Sequence, residues 1–139
     1  MTYVFETEAH AELREQARRF ARQHIAPHAA RWEEAGEFPR ELYGEAARAG
    51  LLGLSYPPEL GGAGGDVTHA LVASEELLIA GRSVGTVVGL GSLGIAVPPI
   101  LALGTLEQQR RLVPPVRTAT VSRSARQPEV MKVLLPLTT

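Results

Sequence analysis

ELREQARRFARQHIAPHAARWEE, residues 12–34, is the stretch that decides the fold class. Its apolar side chains recur at three- and four-residue spacing, in the series Leu13, Ala17, Phe20 and then His24 or Ile25. Residues at this spacing lie on one face of an α-helix. Arginines fill the positions between them and mark a solvated face. We therefore predict a long amphipathic helix over residues 6–34, ended by Gly36.

Two further helices are predicted on either side of a Gly- and Pro-rich connector, GLLGLSYPPELGGAGGD, residues 50–66. The first begins at Pro39, since proline is tolerated at the first helical position, and ends before Gly50. The second begins at the N-cap residue Asp66 and runs to about Ala80. We predict that its inward face consists of Val67, Ala70, Leu71, Ser74, Leu77 and Leu78.

An uncharged run, SVGTVVGLGSLGIAVPPILALGTL, covers residues 83–106. Its length is enough to cross a bilayer, which takes about 20 apolar residues. Five glycines and the Pro98–Pro99 break dilute its hydrophobicity, however, and no cluster of basic residues or aromatic belt flanks it. We therefore favour a buried helix of a helical bundle, with the segment 83–97 as its helical part, over a membrane span.

A last helix is predicted from Thr105, because Thr105 and Gln108 have the spacing of a capping box. It is expected to end at Pro114–Pro115. No strand-like alternation longer than four residues occurs before Val116. The predicted fold is an all-α, antiparallel helical bundle followed by an irregular C-terminal tail.

Composition limits the class of function. The chain has 139 residues, a formal net charge of −1 and 45% hydrophobic residues, which is typical of a globular domain without attraction to nucleic acid or anionic lipid. The absence of cysteine excludes disulfides, thiolate metal sites and a cysteine nucleophile. The N-terminus lacks the pattern of a secretory signal, and we expect a cytoplasmic protein.

No catalytic constellation or metal centre is predicted. The glycines of residues 61–65 have neither of the spacings that bind phosphate groups. His24 and His28 share a helical face at the spacing of a helical metal pair, but no third ligand is placed with them. Adjacent carboxylates such as Glu75–Glu76 point in different directions and do not form an acid/base pair. We predict no catalytic, cofactor-binding or metal-binding residue in this chain.

Three segments nevertheless carry a strong resemblance to a known family. "APHAARWEEAGEFPRELY" (26–43), "AGLLGLSYPPELGGAGGD" (49–66) and "ALGTLEQQRRLVPPV" (102–116) are similar, in order and spacing, to the N-terminal helical domain of acyl-CoA dehydrogenases. The resemblance covers residues 6–116. It implies a flavoenzyme lineage in which FAD takes a hydride from the β-carbon of an acyl-CoA while a glutamate removes the α-proton.

The resemblance also implies a role for the helix at residues 83–97, which in the family lines the acyl pocket. The matching positions are Val87, Val88, Gly91, Ser92 and Ile95. Val87, Gly91 and Ile95 are four residues apart and fall on one helical face, although ordinary helix packing explains the same pattern. If this helix lines the acyl pocket, as the resemblance implies, the lack of a side chain at Gly91 leaves space in the pocket wall and favours a long or wide acyl group.

The resemblance stops after residue 116, and the chain is expected to consist of a family-like domain (1–116) and an irregular basic tail (117–139). The first part has fourteen acidic and ten basic side chains, the second one acidic and four basic. The flavin motif, β-domain and glutamate base that the family has beyond this point are not in this sequence. We hypothesise a frameshift near codon 116. The resemblance then implies a fragment that binds no FAD, performs no turnover and self-associates through faces that the missing domains would cover. The alternative is a stand-alone helical interaction module or non-catalytic partner subunit.

Overall fold

A computed structural model describes residues 3–117 of the chain. The described part is helical and contains no strand, as predicted. The α-helices, in chain order, are α1 (Glu8–Phe20), α2 (Ala29–Ala35), α3 (Glu41–Arg48), α4 (Val67–Gly81), α5 (Val84–Gly91), α6 (Leu93–Leu103) and α7 (Leu106–Arg117). The predicted tail lies, from residue 118 onward, outside the described residues.

The long helix predicted over residues 6–34 is divided in two. A π-helical turn, Ala21–Ile25, follows α1, and the amide of Ala26 bonds to the carbonyl of Ala21 at 2.8 Å. Pro27 explains the interruption, because it has no amide hydrogen to continue the ladder and it restricts the residue before it. The helix ends, as predicted, at Gly36, which has a left-handed φ of 69°.

The main core lies between α1, α3 and α4. Leu13, Ala17, Phe20 and Ile25 are buried there, which confirms the predicted stripe with Ile25 rather than His24 as its last member. α1 and α4 run in the same direction, since His10 near the start of α1 contacts Thr68 near the start of α4 and Arg18, farther along α1, contacts Glu76, farther along α4.

The inward face of α4 differs from the predicted one. Leu77 is buried as expected, but Val67 and Leu71 are 76% and 49% exposed. The residues that α4 buries are Val72, Ala73, Glu76, Leu77 and Gly81. The charge of Glu76 hid this face from a hydrophobicity pattern, and Leu71, Leu78 and Ile79 of α4 are exposed.

The uncharged run forms two helices, α5 and α6, joined at Ser92. No helix among the described residues has the length and hydrophobicity needed to span a membrane. Two predicted proline breaks are wrong. Pro98–Pro99 lie inside α6, and α7 continues past Pro114–Pro115 to Arg117. A proline ring fixes φ near the helical value, so a helix can continue through it at the cost of a backbone hydrogen bond.

Candidate acyl-chain cavity

The connector between α3 and α4 folds back on itself as a compact, hydrogen-bonded loop. The amide of Ala63 donates to the carbonyl of Gly53 at 3.1 Å, and the amide of Gly65 donates to the carbonyl of Leu54 at 2.9 Å. Gly62 packs against Tyr56 so closely that a Cβ at Gly62 would lie 2.0 Å from the Tyr56 carbonyl oxygen. These contacts tie the second half of the connector to its first half, Gly53 to Tyr56.

A cavity of about 330 Å³ lies between this connector, α4, and the α5–α6 pair. Its lining is made of small and aliphatic residues from five parts of the chain: Ala46 of α3, the connector residues Leu51, Leu52, Gly53, Leu54, Ser55 and Tyr56, then Val67, Ala70, Ala73, Ser74 and Leu77 of α4, Val87, Leu90 and Gly91 of α5, and Gly94 and Pro98 of α6. Its volume falls at the lower end of the range for small-molecule sites.

The five sequence-predicted site residues do not all meet at this cavity. Val87 and Gly91 line it. Val88 and Ile95 are 64% and 77% exposed and do not contribute to the lining, and Ser92 is exposed at the junction of α5 and α6. Of the predicted helical face Val87, Gly91 and Ile95, only Val87 and Gly91 therefore line the cavity.

Tight winding at Ser92 separates Ile95 from the face of Val87 and Gly91. The amide of Ser92 donates to the carbonyl of Gly89 at 3.1 Å, and the amide of Ile95 donates to the carbonyl of Ser92 at 3.1 Å. These are bonds over three residues, which wind the chain more tightly than an α-helix. Across this junction the lining residues are Val87 and Gly91 of α5 and Gly94 and Pro98 of α6, and Ile95 is not among them.

Most of the lining could not be recognised in the sequence. The connector was predicted only as a connecting segment, and of the two α4 alanines in the lining only Ala70 was placed on the predicted inward face. Only a tertiary contact brings Ala46 and Gly91, which lie on separate helices, to one cavity. The only local indication of a cavity was the large number of small and apolar residues in the connector. That composition does not show which part of the protein these residues contact.

The electrostatics of the cavity favour an uncharged aliphatic group. No Asp, Glu, Lys, Arg or His contributes to its lining; the polar side chains there are Ser55, Tyr56 and Ser74. Burial raises the pKa of the Tyr56 hydroxyl, so it stays neutral at physiological pH. FAD carries a pyrophosphate, which needs cationic or amide donors. The lining therefore offers no charged partner for a pyrophosphate and is suited to an uncharged group.

The charged side chains of the core are engaged elsewhere, on the α1–α4 interface. Arg14 pairs with Glu6 at 2.6 Å, Glu75 at 2.8 Å and Glu76 at 3.0 Å. Arg18 donates to both oxygens of Glu76. Glu75 and Glu76, which are adjacent in the sequence, thus both bind the guanidinium of Arg14. The prediction that their carboxylates point in different directions missed this shared partner. Every one of these carboxylates is paired with arginine, so the network holds helices together and offers no free base.

A second polar cluster joins the amino ends of α1 and α4. His10, Asp66 and His69 place one potential ligand atom each within 4.8 Å of the others. Both ring nitrogens of His10 are already engaged: the amide of Thr7 donates to Nδ1 at 3.2 Å, and Nε2 lies 2.9 Å from the Thr68 hydroxyl. His69 and Asp66 form a capping box on α4. These contacts are those of two helix caps.

His24 and His28 have different partners in the described structure. His24 lies 2.8 Å from a carboxylate oxygen of Glu45, whereas the ring of His28 packs on Trp32 with centroids 5.1 Å apart. His24 thus contacts α3, and His28 contacts α2.

Known proteins resemble this chain over most of its length. Residues 7–120 match the family described as acyl-CoA dehydrogenase, N-terminal domain. The chain is 37% identical over 111 residues to the mitochondrial long-chain specific acyl-CoA dehydrogenase of Sus scrofa, covering 80% of this chain and 25% of that protein. It is 33% identical over 108 residues to an acyl-CoA dehydrogenase of Bacillus subtilis, covering 78% and 28% of the two chains.

A solved structure shows the same fold. The crystal structure of acyl-CoA dehydrogenase from Geobacillus kaustophilus superposes with a TM-score of 0.74 at 28% identity, covering 86% of this chain and 31% of that one. The chain thus spans less than a third of the length of these relatives. The matches do not favour the alternative of a stand-alone interaction module.

Proposed function

The chain belongs to the acyl-CoA dehydrogenase family, and on that premise we propose that its described residues form the acyl-chain-binding part of an FAD-dependent enzyme that oxidises the α,β-bond of an acyl-CoA. The observation that carries the proposal is the uncharged cavity beside Val87 and Gly91. The thioester and the nucleotide part of the substrate lie outside it, because the cavity offers no charged partner for phosphate groups.

The contribution of this part is binding and orientation. Each methylene that leaves water for an apolar cavity adds about 0.8 kcal/mol of binding free energy. A chain anchored there holds the α- and β-carbons of the thioester at a constant distance from the cavity mouth, which supports reaction by positioning. The cavity lining includes no carboxylate that could remove the α-proton. We propose that these 139 residues alone bind an acyl group and perform no turnover, and that FAD is held by other protein.

The exposed apolar residues support a further part of this proposal. Val84, Val88 and Ile95 are 61%, 64% and 77% exposed on α5 and α6. Contiguous exposed apolar surface is typical of interaction surfaces. We propose that this surface packs on the remaining domains of the enzyme, and that without them the chain self-associates in the cytoplasm.

The binding claim is tested by calorimetry on the 139-residue chain. Dodecanoyl-CoA is titrated into the protein, with CoA as the matched ligand that lacks the chain. We expect heat of binding for dodecanoyl-CoA and none for CoA. Gly91→Leu is expected to abolish the signal, because a Cβ at Gly91 meets no atom within 4 Å and the side chain can extend into the cavity space. Val88→Leu, on the exposed face, is the control. Equal binding by Gly91→Leu and wild type would contradict the proposal.

The domain boundary is a separate part of the proposal. We propose that residues 1–116 are the family-like domain and that 117–139 are a basic tail produced by a frameshift. The nucleotide sequence beyond codon 116, read in the other frames, tests this. A coding sequence for the family's β-domain in a shifted frame supports the frameshift, and its absence rejects it. Flavin absorbance of the purified chain tests the cofactor, and bound FAD would contradict our proposal.

A further inference from the structure

Two histidines and an aspartate from different helices meet where the amino ends of α1 and α4 lie side by side. His10 belongs to the first turn of α1, whereas Asp66 caps α4 and His69 belongs to its first turn. One potential ligand atom of each residue lies within 4.8 Å of those of the other two. His10 is only 4% exposed, and its ring lies against that of His69 with centroids 4.1 Å apart. The three side chains thus form one cluster that extends from the helix interface to the surface.

Helix capping explains only part of this arrangement. A capping box ordinarily has glutamate or glutamine at its third helical position, yet the boxes of α1 and α4 both have histidine there. The contacts that the Asp66 carboxylate makes with Thr68 and His69 all fall on Oδ1. Its other oxygen, Oδ2, takes no part in them, and the Asp66 side chain is 67% exposed. An ion from solvent can therefore reach this carboxylate while Oδ1 keeps its capping bonds.

The hydrogen bonds of His10 allow one ring nitrogen to be released to an ion. Nδ1 lies 2.9 Å from the Thr7 hydroxyl, and Nε2 lies 2.9 Å from the Thr68 hydroxyl. If Nδ1 carries the proton and donates it to the Thr7 hydroxyl, the lone pair of Nε2 is available, at the cost of the 3.2 Å bond from the Thr7 amide. Metal-bound histidines commonly donate their second ring N–H to such a fixed partner. The Thr68 hydroxyl meanwhile keeps Oδ1 of Asp66 as its acceptor.

The charge and ligand types of the cluster suit a zinc ion. Hydrogen bonds from the side chains of Thr68 and His69 lower the pKa of the Asp66 carboxyl, so it is anionic at neutral pH. This charge offsets the partial positive charges of the two helix amino ends. Two imidazoles and one carboxylate are a frequent ligand set for Zn²⁺, with water in the fourth position. Mg²⁺ and Ca²⁺ prefer oxygen ligands alone.

We propose that His10, Asp66 and His69 bind one Zn²⁺ ion, which links the amino end of α1 to that of α4. None of the three residues lines the cavity beside Val87 and Gly91. The site is therefore separate from acyl binding, and its role is to hold the two helices together. A sequence pattern could not detect it, because the first ligand is on a different helix from the other two.

Calorimetric titration of the 139-residue chain with ZnCl₂ tests the proposal. The protein is purified without a histidine tag and freed of metal with EDTA, which is then removed by dialysis. We expect one Zn²⁺ ion per chain and no heat of binding with MgCl₂. Zinc at about a hundredfold excess over its dissociation constant should raise the melting temperature by roughly 5–15 °C, since it binds only the folded chain.

Three single variants remove a ligand and preserve the helix cap at the same position. His10→Gln and His69→Gln keep a side chain that a capping box accepts, and Asp66→Asn keeps a good N-cap residue. Each should weaken zinc binding by more than the roughly 10- to 100-fold that the loss of an outer-shell partner costs. Circular dichroism shows which variants are folded. Asp66→Asn and His69→Gln decide the matter if the buried His10 position does not tolerate glutamine.

The double variant His24→Gln with His28→Gln is the matched control, since these are the other two histidines of the chain. It should bind zinc as wild type does. Loss of binding in this variant would assign the ion to His24 and His28 and overturn the proposal. Absence of binding by wild type, or unchanged binding by the folded cluster variants, would overturn it as well. None of these outcomes bears on the proposed acyl binding, which is measured separately with dodecanoyl-CoA.

Discussion

Arg14 of α1 and Glu76 of α4 form a buried ion pair across 62 residues of sequence, with Nη1 and Oε1 3.0 Å apart. Arg14 is 7% exposed and Glu76 is 4% exposed. Removing one partner of such a pair leaves a charge in a medium that solvates it poorly. The pair therefore ties α1 to α4.

The first prediction concerns this pair. Glu76→Ala should lower the free energy of unfolding by about 3 kcal/mol, because Arg14 and Arg18 lose a buried partner. Urea denaturation followed by circular dichroism measures the change. Glu15→Ala removes an exposed partner of Arg18 and should cost at most about 0.5 kcal/mol. If the two substitutions lower the free energy of unfolding equally, the buried ion pairs of Glu76 stabilise the fold no more than the exposed pair of Glu15 does.

The second prediction concerns the close approach of α5 to Phe38. A Cβ at Gly89 would lie 2.4 Å from Cε1 of Phe38, whose ring packs against Trp32 and Tyr43. Gly89→Ala should therefore destabilise the fold by roughly 1–3 kcal/mol, as overpacking does. At Gly91 the added Cβ meets nothing within 4 Å. Gly91→Ala is the control, and we expect it to be neutral or to stabilise the fold by up to about 1 kcal/mol. A Gly89→Ala variant as stable as wild type would contradict the close packing of α5 against Phe38.

The third prediction is a loss of stability in acid. Hydrogen bonds from the Arg14 side chain, and one from the Tyr3 amide, lower the pKa of the Glu6 carboxyl from 4.5 to about 2. A lowered pKa stabilises the folded state when pH is above the unfolded value, and this contribution is lost as pH falls from about 4.5 toward 2. Thermal unfolding at a series of pH values should show the midpoint falling across this window.

Variants identify the carboxyl responsible for that acid response. Glu6→Gln should flatten the pH dependence between about 4.5 and 2, since the glutamine does not titrate. Glu12→Gln, at an exposed position of α1, should leave the dependence as in wild type. An acid response that is the same in both variants would assign the effect to other groups, of which Asp66 has a pKa lowered by the Thr68 and His69 side chains.

The fourth prediction concerns self-association. Val88 and Ile95 are exposed on neighbouring helices, and we expect the chain to form concentration-dependent oligomers through this surface. The double variant Val88→Lys with Ile95→Lys should shift sedimentation toward the monomer without loss of helix content. Glu12→Lys, at an exposed position of α1, is the control. A wild-type chain that stays monomeric at high concentration would argue against the association.

Helix boundaries were predictable where they depend on local chemistry. Asp66 caps α4 through the amides of Thr68 and His69. Thr105 and Gln108 exchange the two hydrogen bonds of the predicted capping box, at 2.8 and 3.2 Å. These bonds join residues within one helical turn, and a sequence pattern contains all the atoms involved.

Predictions failed where a helix meets another part of the chain. The α4 face was misjudged because Glu76 is buried by arginines of α1, which no pattern within α4 reveals. Of the predicted pocket residues, Val87 and Gly91 reach the cavity, whereas Val88 and Ile95 lie on the outer surface. The predictions also overestimated the tendency of proline to end a helix, since α6 and α7 continue through Pro98–Pro99 and Pro114–Pro115.

The sequence by itself determined the helical class of this protein, most helix ends and the family to which it belongs. These follow from interactions over three or four residues and from the order of short segments. Only the tertiary structure decided which faces are buried, that α1 and α4 lie side by side in the same direction, and that Ala46, Ala73 and Gly91 share one cavity. Burial of a side chain depends on what packs against it, and here the partners are supplied by residues far apart in the chain.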